Sequence, residues 1–277
     1  MYNRRNVMND NILGLDTTVS SLEYAFDLDH SSEIIKISNT LLSLIKHRRH
    51  TDYSLVQQVM NDIQHLLSDD FKVDINTYLL NFCTNAFNRG EEIYAHEYIA
   101  LIKKMIKKEL LVKNKILSQG KYINTLTFAI AIREMNWLRS FIKKFSKYLP
   151  QENRETIKMI DEAHIEFYDG NIEKASIILQ KVKSQDPYLK IKCRKLLLQI
   201  HFEEGTYKLL NSELEAMRNF FYRNQILSEK KRVTALNFIK IMKALVNGDK
   251  VNLNQYKGKI TLLDRLWLSK YIKKDNR

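Results

Sequence analysis

Apolar side chains recur along most of this chain with the period of an amphipathic α-helix, most clearly across residues 154–187. Two helical stretches, RETIKMIDEAHIEFY and IEKASIILQKVKS, flank the short sequence DGN. The pair Asp169-Gly170 is a turn signal, and Pro187 ends the second stretch because its ring removes a backbone donor. The pattern predicts two helices joined by a tight turn.

The turn of this helical hairpin recurs along the chain. Its pattern is an aromatic or aliphatic residue, a glycine three positions later, and a small or aliphatic residue five positions after the glycine. Copies lie at Phe87, Gly90 and Ala95; at Phe167, Gly170 and Ala175; at Phe202, Gly205 and Leu210; at Leu245, Gly248 and Leu253; and, without glycine, at Ile132, Met135 and Ser140. The turn positions 90, 135, 170, 205 and 248 are 45, 35, 35 and 43 residues apart, which is typical of helical repeats. Because one hairpin cannot bury both of its apolar faces, the hairpins are expected to stack.

These residues resemble the tetratricopeptide repeat, a helical pair of roughly 34 residues with small residues where its helices cross. The matching positions are Ala163, Gly170, Ala175, Leu179, Val182 and Pro187. The C-terminal stretch also resembles the ends of bacterial helical-repeat proteins that pair an NFI helix with a DRxWL helix. The resemblance implies an all-α fold, an α-solenoid of stacked antiparallel helix pairs.

No linker rich in Pro, Gly or Ser divides the chain, so residues 31–277 are predicted to form a single helical-repeat solenoid. Residues 1–30 are polar and aperiodic and are expected to be an N-terminal extension, partly disordered. Residues 228–277 are predicted to be capping helices, with an apolar stripe that starts at Ala235 and with Trp267 in the core.

Composition narrows the class of protein further. The chain has only 7 Gly and 2 Pro, which disfavours turn-rich β architectures. Cys83 and Cys193 form neither a disulfide framework nor a CxxC pair, so a cytoplasmic location is expected. No apolar h-region follows the N-terminal basic residues, and no segment approaches the ~18 apolar residues of a membrane span. The sequence therefore predicts no membrane insertion.

Catalytic patterns are missing from the sequence. HEYIA at residues 96–100 begins like a zinc protease helix, but Ala100 stands where the second His ligand is needed. No glycine-rich phosphate loop occurs, and neighbouring carboxylates such as Asp161-Glu162 point in different directions on a helix. An enzyme, a cofactor and a metal site are therefore not expected.

Positive charge is concentrated after residue 80. The net charge is +13, with −4 in residues 1–80 and +17 in residues 81–277. Lysines near the ends of the predicted second helices define a basic ridge: Lys103, Lys104, Lys107, Lys108, Lys143, Lys144, Lys147, Lys181 and Lys183. Two interpretations stand: the ridge binds nucleic-acid phosphates, or its cations complement helix C-terminal dipoles.

The resemblance also implies a binding groove, lined by the first helix of each pair. Its residues map to Tyr122, Thr125, Arg133, His164, Phe167, Tyr168, Lys192, Lys195, Gln199 and Glu203. The last four are spaced by three, four and four, so they share one helix face. The expected function is non-enzymatic binding of a protein or peptide segment that carries acidic and apolar residues. The alternatives are nucleic-acid binding by the basic ridge, and a groove whose aromatic residues are simply core.

Overall fold

The computed structural model describes residues 33–223 and 229–272. The predicted N-terminal extension, residues 1–30, lies outside the described residues. Those described contain twelve α-helices and no β-strand, with one isolated bridge between Lys113 and Ile116. The prediction of an all-α fold is therefore confirmed.

The helices follow one another along the chain. They are α1 Glu33–His47, α2 His50–Ile63, α3 Asp69–Asn88, α4 Ile93–Lys107, α5 Gln119–Ala131, α6 Met135–Phe145, α7 Arg154–Tyr168, α8 Ile172–Gln180, α9 Pro187–Glu203, α10 Tyr207–Arg223, α11 Glu229–Val246 and α12 Leu262–Leu268. The described residues also include three single-turn 3-10 helices, at Ser146–Tyr148, Gln151–Asn153 and Leu253–Tyr256.

The chain divides into two compact units, Met1–Cys83 and Thr84–Arg277. In the first unit, α1 packs against α2. Buried Asp52 accepts hydrogen bonds from Ser43 at 2.9 Å and from Arg49 at 2.8 Å, and the ring of Tyr53 stacks on that of Phe82 at 4.9 Å. The guanidinium of Arg49 is the main cause of a lowered pKa of the Asp52 carboxyl. In the first unit, the hydrogen bond from Ser43 on α1 to Asp52 on α2 thus joins the two helices.

In the second unit, successive helices pack side by side. α4 packs on α5, α5 on α6, α7 on α8, α9 on α10, and α10 on α11. α9 also packs against α7 and α8, so one pair supplies part of the core of the next. The predicted packing of adjacent helix pairs is confirmed. The single solenoid over residues 31–277 and the capping role of residues 228–277 stay predictions.

The recurrent turn has one backbone conformation. Gly90, Gly170, Gly205 and Gly248 have φ of 97°, 87°, 67° and 75°, the left-handed region that suits a residue without Cβ. The N–H of Gly170 donates to the Phe167 carbonyl at 3.1 Å, and the next N–H donates to the Glu166 carbonyl at 2.8 Å. The same two bonds occur at the other three glycines. Each of these four helices therefore ends in a Schellman motif, which satisfies its last carbonyls.

The copy without glycine uses a different register from the one predicted. Arg133, with φ of 59°, is the left-handed residue, and its N–H donates to the Ile130 carbonyl at 3.0 Å. The structural counterpart of the repeat is therefore Ile130, Arg133 and Leu138, which replaces Ile132, Met135 and Ser140. Leu138 is fully buried, as Ala175 is, whereas Ser140 is exposed. The error arose because the left-handed residue is Arg133 rather than glycine, so the sequence gives no turn signal at this position.

The crossing of α7 and α8 provides a test of this packing. Ala175 is 0% exposed, and Ile177, two residues further along α8, is 47% exposed. Ala175→Arg should lower the free energy of unfolding by about 3 kcal/mol, because it forces a charge and extra volume into a packed crossing. Ile177→Arg should change it by less than about 0.5 kcal/mol. Denaturant unfolding measures both, and equal losses in the two variants would contradict this packing.

Candidate functional site

Helices α7 and α9, which both belong to the second unit, each carry a row of polar side chains. We name six of them the polar face: His164, Tyr168, Lys192, Lys195, Gln199 and Glu203. Asp186 is the N-cap of α9: its carboxylate accepts hydrogen bonds from the N–H groups of Tyr188 at 2.8 Å and Leu189 at 3.2 Å. The cap determines where α9 begins, and with it the position of the polar row. Pro187 occupies the first turn, where it costs no hydrogen bond. The cap therefore fixes which α9 residues face α7.

The structure buries most of the residues predicted to line a groove. Tyr122, Thr125, His164, Phe167 and Gln199 are buried. Tyr168, Lys192 and Lys195 are partly exposed, and Arg133 and Glu203 are exposed. Arg133 lies at the turn after α5, where its backbone forms the left-handed helix end. The predicted residues from α5, α7 and α9 thus lie mainly inside the protein.

Four ionisable side chains meet between α5, α7 and α9, and we call them the buried ionisable cluster. They are Tyr122, Asp161, His164 and Lys192. Within the described part of the chain, the Tyr122 hydroxyl, both Asp161 carboxyl oxygens and the Lys192 ammonium are buried and have no hydrogen-bond partner. Natural proteins seldom leave such atoms unsatisfied, because each costs about 1–3 kcal/mol. The cluster is therefore a costly feature of the fold.

Burial controls the protonation of this cluster. It raises the pKa of the Asp161 carboxyl to about 7, against the opposing effects of the Lys192 charge and the Tyr122 hydroxyl. It lowers the pKa of Lys192, which Asp161 partly offsets. Burial and the Lys192 charge lower the pKa of His164 to about 3, although its Nδ1 hydrogen-bonds the Ile160 carbonyl at 2.8 Å. His164 is consequently neutral near pH 7.

Sequence reasoning missed Asp161. It treated Asp161 and Glu162 as adjacent carboxylates that point apart, and the structure agrees, since Asp161 is buried and Glu162 is exposed. The useful signal was the spacing of three and four between Asp161, His164 and Tyr168, which places all three on one face of α7. A carboxylate on the face that packs against α9 then becomes a candidate partner for its lysines.

Helix α12 contacts two residues of the polar face, Lys195 and Glu203. Its Asp264 forms an ion pair with Lys195, and the two side chains are 6% and 19% exposed. The Thr261 hydroxyl donates to Asp264 Oδ2 at 2.5 Å and, as the N-cap, accepts from the Asp264 N–H at 3.2 Å. The Lys195 ammonium also lies 5.0 Å from the ring centroid of Phe238. Asp264 of α12 is therefore paired with Lys195 of α9 in a position that is largely removed from water.

A tryptophan one turn further along α12 makes the second attachment. Trp267 Nε1 donates to Glu203 Oε1 at 3.1 Å, and its ring makes an edge contact with Phe202 at 5.5 Å. Tyr271 contacts both of these rings, at 5.0 and 4.9 Å. Burial, followed by the charges of Asp264 and Glu203, raises the pKa of Tyr168. Trp267 is buried, so its predicted place in the core is confirmed, and α12 also packs against α5.

The basic ridge is distributed over several helix ends. Lys107 and Lys108 are exposed at the end of α4, Lys143, Lys144 and Lys147 at the end of α6, and Lys181 and Lys183 after α8. Burial is the main cause of a lowered pKa of Lys104. Lys103 pairs with Glu134 at 2.6 Å and lies 5.1 Å from the Trp137 ring centroid. Lys144 and Lys147 lie over Phe145 and Tyr148 at 5.4 and 5.1 Å.

The described residues contain neither a metal-binding group of side chains nor a membrane-spanning helix. In residues 33–223 and 229–272, His, Cys, Asp and Glu side chains nowhere gather in a group of three or more that could hold a metal ion. Among the helices of those ranges, none has the length and apolar character needed to cross a membrane.

No protein-family model, curated protein or solved structure matches this chain.

The raised pKa of Asp161 predicts a pH-dependent stability. Because the folded pKa of about 7 exceeds the ordinary 3.8, the folded chain holds a proton that the unfolded chain releases, so stability falls as pH rises between these values. Asp161→Asn removes this effect. Relative to the unmodified chain, the variant should gain about 3 kcal/mol in unfolding free energy between roughly pH 5 and pH 8.

The matched control is Glu162→Gln, the exposed neighbour on the same helix. Its unfolding free energy should follow that of the unmodified chain at every pH. Urea unfolding across the pH range measures both variants. A difference between Asp161→Asn and the unmodified chain that stays constant with pH would show that Asp161 is ionised throughout.

Proposed function

We propose that this chain is a non-enzymatic protein-interaction module that binds a short helical segment of a protein or peptide on its polar face. One observation supports the proposal: a short helix of the same chain, α12, already contacts two residues of this face. Asp264 and Trp267 are three residues apart, and they meet Lys195 and Glu203, which are two turns apart on α9. The partner would carry an acidic residue followed, one helical turn later, by a large aromatic residue.

The chemistry of the two attachments explains why this face would be selective. Lys195 is largely buried, and an apolar residue opposite it would leave a desolvated ammonium unpaired, at a cost of several kcal/mol. Glu203 accepts from an indole N–H, which phenylalanine and leucine do not offer. Phe202 supplies an aromatic wall beside the indole. A segment of the wrong charge or without the indole would therefore bind more weakly.

We infer that the module is built as a tetratricopeptide-like α-solenoid. The recurrent Schellman turns and the packing of α9 against both helices of the preceding pair support this arrangement. Cys83 and Cys193 are buried thiols, in keeping with a reducing cytoplasm. Burial also raises the pKa of the Cys193 thiol to about 11, which keeps it unreactive.

A charge exchange tests the proposed function. The probe is a fluorescent synthetic peptide with the sequence of residues 259–272, KITLLDRLWLSKYI, and the receptor is the full chain with Asp264→Ala, which weakens its own α12. Adding Lys195→Glu to that receptor should weaken binding at least about tenfold, because two carboxylates would then meet. Fluorescence anisotropy measures the affinity.

The reciprocal peptide provides the control. A peptide with Lys in place of the Asp at position 264 should bind the Lys195→Glu receptor better than the receptor with Lys195. Circular dichroism should show unchanged helicity in all receptors. If neither peptide discriminates between the two receptors, the polar face is not the binding site.

A second candidate function is nucleic-acid binding by the basic ridge. The observation in its favour is that three ridge lysines, Lys103, Lys144 and Lys147, lie over aromatic rings. Lysines contact phosphates, while aromatic rings stack on unpaired bases, so the combination suits a single strand. Trp137 and Tyr148 are partly exposed and available at this surface.

Salt dependence tests this candidate. Mixed-sequence single-stranded RNA should be retained at low salt, and changing Lys143, Lys144 and Lys147 to Gln should reduce the slope of log affinity against log salt by about 2. Changing three exposed lysines away from the ridge, Lys208, Lys250 and Lys270, should leave the slope nearly unchanged. The absence of any RNA retention at low salt would remove this candidate.

A further inference from the structure

We propose that α12 is an autoinhibitory segment, a built-in competitor that occupies the polar face until a partner segment displaces it. This inference rests on the proposed function, because it concerns the regulation of the same site. The contacts that carry it are the Asp264–Lys195 ion pair and the hydrogen bond from Trp267 to Glu203.

The segment that joins α11 to α12 is suited to a reversible attachment. Residues 247–261 contain two glycines of positive φ, Gly248 at 75° and Gly258 at 73°, and no α-helix. Residues 247–250 and 257–259 are exposed. Beyond the backbone hydrogen bonds that end α11 at residues 247–249, Asn237 Nδ2 on α11 donates to the Lys259 carbonyl at 3.0 Å. The connection can thus change conformation without disrupting an α-helix, although it contains the short 3-10 helix Leu253–Tyr256.

Helix α12 depends on its contacts for its own structure. It has seven residues, and isolated helices shorter than about 12 residues are marginal in water. Folding of α12 and its docking on the polar face are therefore coupled. Opening of α12 exposes Trp267 and Leu268, which are 1% and 0% exposed, so it costs more than the fraying of a terminus and less than global unfolding.

Release of α12 would leave a face that attracts acidic segments. Without Asp264, the ammonium of Lys195 loses its ion-pair partner. The charge of Lys192 lies close enough to add to it, since both lysines lower the pKa of His164. Asp161 compensates Lys192 only in part, because burial favours its protonated form. The exposed face therefore gains positive charge, and an acidic partner would restore the balance that Asp264 provides.

Competition within one chain is strong because the segment is tethered. A short flexible tether gives an effective concentration on the order of a millimolar. A free segment with the same intrinsic affinity as α12 would then half-saturate the face only near that concentration. A partner at micromolar levels must bind about a thousandfold more tightly, or α12 must first be weakened.

The test measures how weakening α12 changes the affinity of the same probe, the labelled peptide of residues 259–272. The receptors are three full chains: unmodified, Thr261→Ala and Asp264→Ala. Thr261→Ala removes the helix cap and a hydrogen bond to Asp264, and should tighten peptide binding about fivefold. Asp264→Ala removes the ion pair and should tighten it at least about tenfold.

Asp249→Ala serves as the matched control, because this aspartate is exposed in the tether. It should leave the affinity unchanged. Hydrogen exchange should be faster across residues 262–268 in the two α12 variants and unchanged in α7 and α9. If Asp264→Ala perturbs the whole fold, Thr261→Ala, which retains the ion pair, still gives the comparison.

The outcomes separate the two proposals. A peptide that binds all four chains with equal affinity overturns autoinhibition and leaves the proposed function standing. A peptide that binds none of them up to millimolar concentration overturns both. An affinity that rises from the unmodified chain to Thr261→Ala to Asp264→Ala supports the competitor.

Discussion

Helix α9 brings two ammonium groups, those of Lys192 and Lys195, into the interior between its neighbours. A charge removed from water costs several kcal/mol unless an opposite charge or hydrogen bonds compensate it. Asp161 on α7 and Asp264 on α12 provide this compensation from two sides. The positions of α7 and α12 relative to α9 are therefore constrained by electrostatics in addition to apolar packing.

The two compensations differ in character. Lys195 and Asp264 form a close ion pair that also involves Thr261, so the pair is well satisfied. Asp161 and Lys192 affect each other's pKa without a hydrogen bond between them. A satisfied pair gives specificity at its position, whereas an unsatisfied pair reduces stability. The first pair belongs to the contact between α9 and α12, and the second to the contact between α9 and α7.

Much of this architecture could be predicted from the sequence, because it follows from local rules. Helical periodicity and the glycines at 90, 170, 205 and 248 identified the helices and their ends. The turn at Arg133 was placed two residues too late, since the left-handed conformation there is imposed by packing rather than by glycine. A backbone conformation that depends on tertiary contacts leaves little trace in the residues themselves.

The site was less accessible to prediction for the same reason. The spacing of Lys192, Lys195, Gln199 and Glu203 correctly placed them on one side of α9. What covers that side could not be inferred, because Asp264 lies 69 residues after Lys195 and pairs with it only through the fold. The family resemblance implied an open groove, whereas the described residues include a helix of the same chain lying on its lysine and glutamate.

The separation between Lys195 and Asp264 also has a consequence for synthesis. A ribosome adds about 5–20 residues per second, so α9 is made several seconds before the aspartate that neutralises it. During that interval, the nascent chain carries an uncovered α9 with its lysines unpaired by α12. Each newly made molecule thus passes once through a state in which Lys195 and Glu203 have no contact with α12, because that helix has not yet been made.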